Sequence, residues 1–241
     1  MPKHVTKTAP QRGGPRPAGV ARRRAILDAA LTVFADRGFD GASTRAIAAA
    51  AGVEQGHLAY YFETKELLWR EVIRTHTAEI DELLEVGLRN ADLRKSASLA
   101  RNLLPRFLAQ IAENGRLTRL MLQEFSVASP RHDWVVREVG RPIWRRLEPL
   151  FGALHAQGIT AGALPTFSYY MMVGAALVFF GSRREVQAIA GIDPVARENA
   201  RAFVDYLIES AFHGKARIRR RSIRTAADFS NRINRLPIWR E

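Results

Sequence analysis

Residues 43–65 read Ser-Thr-Arg-Ala-Ile-Ala-Ala-Ala-Ala-Gly-Val-Glu-Gln-Gly-His-Leu-Ala-Tyr-Tyr-Phe-Glu-Thr-Lys, and their punctuation fixes the fold around them. Ser43 is a helix N-cap, a hydroxyl able to accept an orphan backbone N–H, and a short helix is expected over 44–51 with Ile47 and Ala51 on one face at i,i+4 spacing. Gly52 stops it, since a residue without Cβ adopts the left-handed conformation that turns the chain sharply. Val53 and Leu58 then anchor a second helix whose other face, with Gln55, Gly56, His57 and Tyr60, is polar or small. The unit fits a helix-turn-helix, in which the second helix enters the major groove of double-stranded DNA.

Working outward, Ile26, Ala30, Val33 and Phe34 recur at i, i+4, i+7 and i+8, predicting a helix over 21–37 closed by Gly38. Thr64 is the expected N-cap of a long helix reaching Leu88, with Leu67, Leu68, Val72 and Ile73 turned inward and the chain broken near Asp92. Over 23–74 the chain resembles the DNA-binding domain of the tetracycline-repressor (TetR) family. Three elements match in order: the first helix with its turn (25–44), Ile-Ala-x-Ala-Ala-Gly-Val (47–53), and Tyr-Tyr-Phe-x-x-Lys-Glu-x-Leu (60–68). They cover about a fifth of the sequence.

The residue types suggest DNA contacts one by one. Thr44, at a helix start, offers a hydroxyl and a backbone N–H to a phosphate oxygen, and Arg45 beside it carries a planar fork suited to a guanine edge. The resemblance places base reading at Gln55, Gly56 and His57. Gln pairs with adenine through two hydrogen bonds, and Gly56 lets the helix come close. Tyr60 presents a ring to a thymine methyl or a sugar, whereas Tyr61 and Lys65 stand where family members hold the phosphate backbone. Two positions depart from the family pattern: Glu54 replaces the usual Ser or Thr cap, and Ala59 replaces a common Tyr.

Beyond this domain the apolar spacing remains helical, without convincing alternation of strands. Helices are expected over 99–112 (Leu103, Leu104, Phe107, Leu108 and Ile111, with Pro105 inside), 117–125, 134–155 (kinked or divided at Pro142 and Pro149), 165–184 and 194–213, with a loop over 158–162. The 165–184 helix is apolar around nearly its whole circumference, and Gly174, Ala175 and Ala176 permit close approach of another backbone. Such a helix needs cover on every side. In TetR-like proteins the last two helices of each subunit build a four-helix dimer interface, so the resemblance implies a homodimer presenting two recognition helices to an inverted repeat.

The same resemblance implies a small-molecule effector among the middle helices, of unknown identity but apolar or aromatic given the side chains available. Candidate lining residues are Phe107, Met121, Phe125, Trp134, Trp144, Met171, Met172 and Phe180, with Glu124 and His132 as polar groups that orient a ligand.

Charge is concentrated at the ends. Residues 1–24 hold seven Lys/Arg and no acid, 214–241 hold nine against two, and 25–213 hold twenty-one against twenty-two, so the net +13 resides in the tails. Phosphate neutralisation would then come largely from the arms. The organisation expected is a disordered basic arm (1–20), a helix-turn-helix domain (21–66), a helical effector-binding and dimerisation domain (67–213) and a basic tail (214–241). The fold class is all-α, a three-helix DNA-binding domain followed by a helical ligand-binding and dimerisation domain.

Absences narrow the function. The longest apolar run, 169–180, is shorter than the ~20 residues of a bilayer span, so no membrane partner is expected. Zero cysteines exclude disulfides and thiolate chemistry and fit a cytoplasmic protein, and the isolated histidines suggest neither a metal site nor catalysis. No cofactor is expected. The reading is a ligand-responsive repressor; the alternative is an architectural DNA-binding protein that uses its basic arms without an effector.

Overall fold

The computed structural model describes residues 17–160 and 162–212. Of the disordered arm expected over 1–20, residues 1–16 lie outside the described residues and 17–20 form the first turn of a helix; the tail expected over 214–241 lies outside the described residues. Every regular element among those described is helical, as the apolar spacing predicts, and none is long and apolar enough to cross a membrane. The helices form two compact units that divide between Val72 and Ile73, inside one helix.

The first unit holds α1 (Pro17–Gly41), α2 (Thr44–Ala50), α3 (Gln55–Tyr61) and the first turns of α4 (Lys65–Leu88). Ile26, Ala30, Val33 and Phe34 point inward as expected, joined by Leu27 and Leu31, and α1 breaks at Gly38, where φ is 69°. Leu68, Trp69 and Val72 complete the core from α4. Leu67, expected inward, is 45% exposed because it lies ~100° round the helix from Leu68. Both predicted caps form: Ala46 N donates to Ser43 Oγ at 3.1 Å and Leu67 N to Thr64 Oγ1 at 3.0 Å.

The turn between α2 and α3 satisfies its carbonyls in the Schellman pattern. Val53 N donates to Ala48 O (3.0 Å) and Gly52 N to Ala49 O (3.2 Å), with Gly52 left-handed at φ 64°. Buried Ile47 and Ala48 of α2 and Leu58 of α3 then fix the angle between the two helices.

The second unit contains the rest of α4, a 3₁₀ turn (Leu93–Lys95), α5 (Ser96–Glu113), α6 (Gly115–Ser126), α7 (Pro130–Val135), a π-helical turn (Val136–Gly140), α8 (Arg141–Ala156), α9 (Pro165–Gly181), α10 (Arg183–Ala190) and α11 (Arg197–Phe212). The expected 134–155 helix is thus divided before Pro142, while Pro149 is accommodated inside α8. Helix α9 packs against α5, α6, α8 and α11. It buries Tyr169, Met172, Ala176 and Phe180, and Phe179 stacks on Phe203 of α11 with ring centroids 3.9 Å apart. Its opposite side leaves Phe167, Tyr170, Met171 and Val178 exposed.

Replacing Gly52 by Ala puts a Cβ into a left-handed conformation, where nothing crowds it but its own backbone resists. The expected cost is about 1–2 kcal/mol, read as a lower urea midpoint at unchanged m-value.

Candidate nucleic-acid interface and apolar cavity

Helix α3 shows the outer face that the sequence indicates. Gln55, Gly56 and His57 are exposed, as is Arg45 at the start of α2, and Tyr60 is the most exposed large hydrophobic side chain among the described residues of the unit at 83%. Behind this face Leu58 and Phe62 are buried, and the Arg23 guanidinium sits 5.3 Å over the Phe62 ring while donating to Glu71 Oε1 at 2.8 Å. The outer side chains therefore stand on a helix whose inner side is immobilised by packing. Thr44 and Tyr61 are half-buried at its flanks, with Tyr61 edge-on to Tyr60 at 5.4 Å.

Gly56 has no conformational duty, since its φ is an ordinary helical one and a Cβ there would meet nothing within 4 Å. What the missing side chain leaves is a bare strip of backbone between Gln55 and His57, where another molecule comes close without a steric barrier. Glu54 occupies the N-cap of α3 without any side-chain cap hydrogen bond, so the departure noted in the sequence has a local cost and places an acid beside the exposed face.

Lys65 occupies a different position from a free phosphate-binding lysine. Its Nζ donates to the carbonyl oxygens of Phe39 (2.9 Å) and Ala42 (3.0 Å) and lies 4.3 Å from the centre of the Phe39 ring. Two of its three N–H donors thus hold the turn between α1 and α2, leaving one for a ligand. Phe39 in turn stacks on Phe34 and meets the edge of Trp69, so the clamp is continuous with the core.

The second unit contains a partly open cavity of ≈ 80 Å³ between α4, α5, α6, the π turn, α8 and α9. Of the eight lining residues expected from sequence, Phe107, Met121 and Phe125 line it. The other five do not. Met172 and Phe180 are spent on the helix core, Trp144 packs on Phe151 and Tyr169, Met171 is 43% exposed, and Trp134 faces a separate open groove beneath the Arg74 guanidinium. Glu124 and His132 also lie off the cavity; they belong to a local cluster in which Glu124 faces Arg131 and His132 Nδ1 meets Glu124 O at 3.1 Å.

Sequence reasoning missed Gln110, Val173, Leu177 and Tyr169 in the wall. Gln110 carried a readable signal, standing three residues after Phe107 on the same helical face. Burial pushes the Tyr169 phenol up to about 12, with the neighbouring Tyr170 adding to the effect, so the group stays neutral further into the alkaline range than a free phenol does.

Residues 26–72 match the family model described as bacterial regulatory proteins, tetR family. Over 71 residues the chain is 42% identical to the HTH-type transcriptional regulator RutR of Escherichia coli (strain K12), covering 29% of this chain and 34% of that protein. Over 53 residues it is 43% identical to the HTH-type transcriptional repressor KstR2 of Rhodococcus jostii (strain RHA1), covering 22% and 26%. The match to YttP of Bacillus subtilis (strain 168) runs further at 26% identity, over 50% of this chain and 56% of that one. The chain therefore spans between a quarter and just over half of these curated relatives. Among solved structures, HlyIIR, a hemolysin II transcriptional regulator, aligns over 80% of this chain and 98% of its own with a TM-score of 0.59 at 21% identity. A TetR/AcrR-family transcriptional regulator from Thermobifida fusca YX-ER1 aligns over 82% and 100% with a TM-score of 0.56, also at 21%. These two likenesses establish the fold.

Two outcomes are expected. Lys65→Met removes two charge-assisted hydrogen bonds and strands two carbonyls, lowering stability by about 1–3 kcal/mol in urea unfolding even without DNA. Tyr169, ordinarily near 10 in the unfolded chain and raised in the fold, stabilises fully below pH 10, and that contribution is lost as pH rises towards 12. In Tyr169→Phe the urea midpoint should fall less steeply over that window than in the parent.

Proposed function

We propose that this chain, whose N-terminal domain belongs to the TetR family of DNA-binding transcriptional regulators, is a repressor that grips an inverted-repeat operator as a homodimer. A small apolar or aromatic effector entering the second unit releases it. The observation that carries the reading is the outer face of α3: a glutamine, a side-chain-free glycine and a histidine exposed together on a helix anchored from behind by Leu58 and Phe62. That combination suits a base edge. The glutamine carboxamide matches the paired donor and acceptor of adenine, the glycine admits close approach, and Tyr60 adds an apolar ring for a thymine methyl or a sugar. Arg45 is free to reach a guanine from α2, while Thr44, Tyr61 and the remaining donor of Lys65 suit phosphates.

Self-association is supported by the surface of α9. Phe167, Tyr170, Met171 and Val178 form an exposed apolar strip, Gly174 within it has open space where a Cβ would stand, and Tyr206 of α11 is also exposed. A second copy covering this strip gives the assembly two recognition helices, as an inverted repeat with half-sites ~34–36 Å apart requires. Effector entry is supported by the apolar cavity lined by Phe107, Met121 and Phe125. Localisation in the cytoplasm follows from a DNA partner.

The test is fluorescence anisotropy at fixed salt, comparing the duplex the protein prefers with a scrambled one. Gln55→Ala should lose about 1–3 kcal/mol on the preferred duplex and leave the scrambled one unchanged. Gly56→Leu should fold at least as stably as the parent, because glycine is a poor helix former, yet lose binding to both duplexes. Equal losses on the two duplexes for Gln55→Ala would contradict base reading by α3.

A further inference from the structure

Resting on the effector cavity proposed above, we infer that its occupant is an uncharged molecule with an apolar body and a single hydrogen-bond donor, and that Gln110 selects for that donor. The wall contains no charged side chain: its sixteen residues are apolar, aromatic, hydroxyl- or carboxamide-bearing. An ion entering would surrender its hydration with nothing to pair against, a loss far larger than that of an isolated neutral group. A neutral ligand is the only class the wall admits without penalty.

The polar atoms in the wall then decide what the ligand carries. Thr77 commits its hydroxyl proton to Ile73 O (3.0 Å) and Thr118 to Ile111 O (2.7 Å), while Asn114 Nδ2 donates to Gln110 O (3.3 Å). All three donors are committed to backbone carbonyls, Thr77 within α4 and Asn114 and Thr118 at the end of α5. Gln110 Oε1 differs: it is buried and has no hydrogen-bond partner among the described residues. A buried carboxamide oxygen without a partner is an acceptor awaiting a donor. Because the remaining lining, the Tyr169 phenol apart, is hydrocarbon and ring, the complementary molecule presents one O–H or N–H to Gln110 and apolar surface elsewhere. A cavity near 80 Å³ is smaller than the ~150 Å³ that takes up benzene, but Met121 has three rotatable bonds and Phe125 is only half-buried, so the wall can widen around a single ring.

Isothermal titration calorimetry of the full chain at pH 7 with phenol, toluene and benzoate tests this. Phenol and toluene share a shape and differ by one donor; benzoate adds a charge. The expected result is binding of phenol and toluene, none of benzoate at the same concentrations, and a phenol-to-toluene affinity ratio that falls roughly tenfold in Gln110→Leu. Comparing ratios cancels any general effect of the substitution on the cavity, and Gln110→Met supplies a second, unbranched variant should the first fold poorly. Benzoate binding as tightly as phenol, or a ratio unchanged in both variants, overturns the inference while leaving an apolar effector cavity standing. If neither ring compound binds the parent protein, the cavity itself fails as an effector site, and this inference with it.

Discussion

The DNA-binding unit depends on a backbone constraint at Gly52. The chain must leave α2 in a left-handed conformation so that Val53 and Gly52 can satisfy the last carbonyls of that helix, and only then does α3 cross at an angle that buries Leu58. Everything outward follows from this. With the apolar side of a seven-residue helix locked against α2, Gln55, Gly56 and His57 have nowhere to face but solvent. A short helix has little stability of its own, so its usefulness as a reading head comes from the packing behind it. Lys65 reinforces the arrangement from the other side by tying down the Phe39 and Ala42 carbonyls.

This explains why the first unit was legible in the sequence. Its signals are local: a serine cap, a glycine stop, a threonine cap and an apolar repeat each act within a few residues of where they stand. The second unit depends on long-range packing, and there the reading thinned. Helix α10 was missed because it is short and none of its side chains is buried; it is held at its start by the paired Arg183 and Asp193, and it ends at the left-handed Gly191. The π turn before α8 has no simple sequence signature. Aromatic and methionine side chains marked the cavity poorly, since Met172 and Phe180 serve the core as well as any leucine and nothing in composition separates the two uses.

The roles of Lys65 and Gln110 share a lesson about polar residues. From sequence, a lysine near a DNA-reading helix suggests phosphate, and a glutamine inside an apolar stretch shows which helical face it shares but not what it binds. In the fold the lysine is largely consumed by backbone carbonyls, whereas the glutamine keeps a buried acceptor unpaired in a cavity wall. Residue type alone did not separate a structural duty from a recognition duty; the count of satisfied donors and acceptors did. The same count gives Glu54 its meaning, as a cap position without a capping hydrogen bond beside the face proposed to meet DNA bases.

The central claim is that α3 reads base sequence and does so twice on one duplex. Selection of genomic fragments by the purified full chain at physiological salt addresses it most directly, because electrostatic attraction to phosphate alone enriches no sequence. The account predicts enrichment of one inverted repeat whose half-sites lie about one helical turn apart. Uniform coverage of the fragments, with no motif recovered, would contradict it.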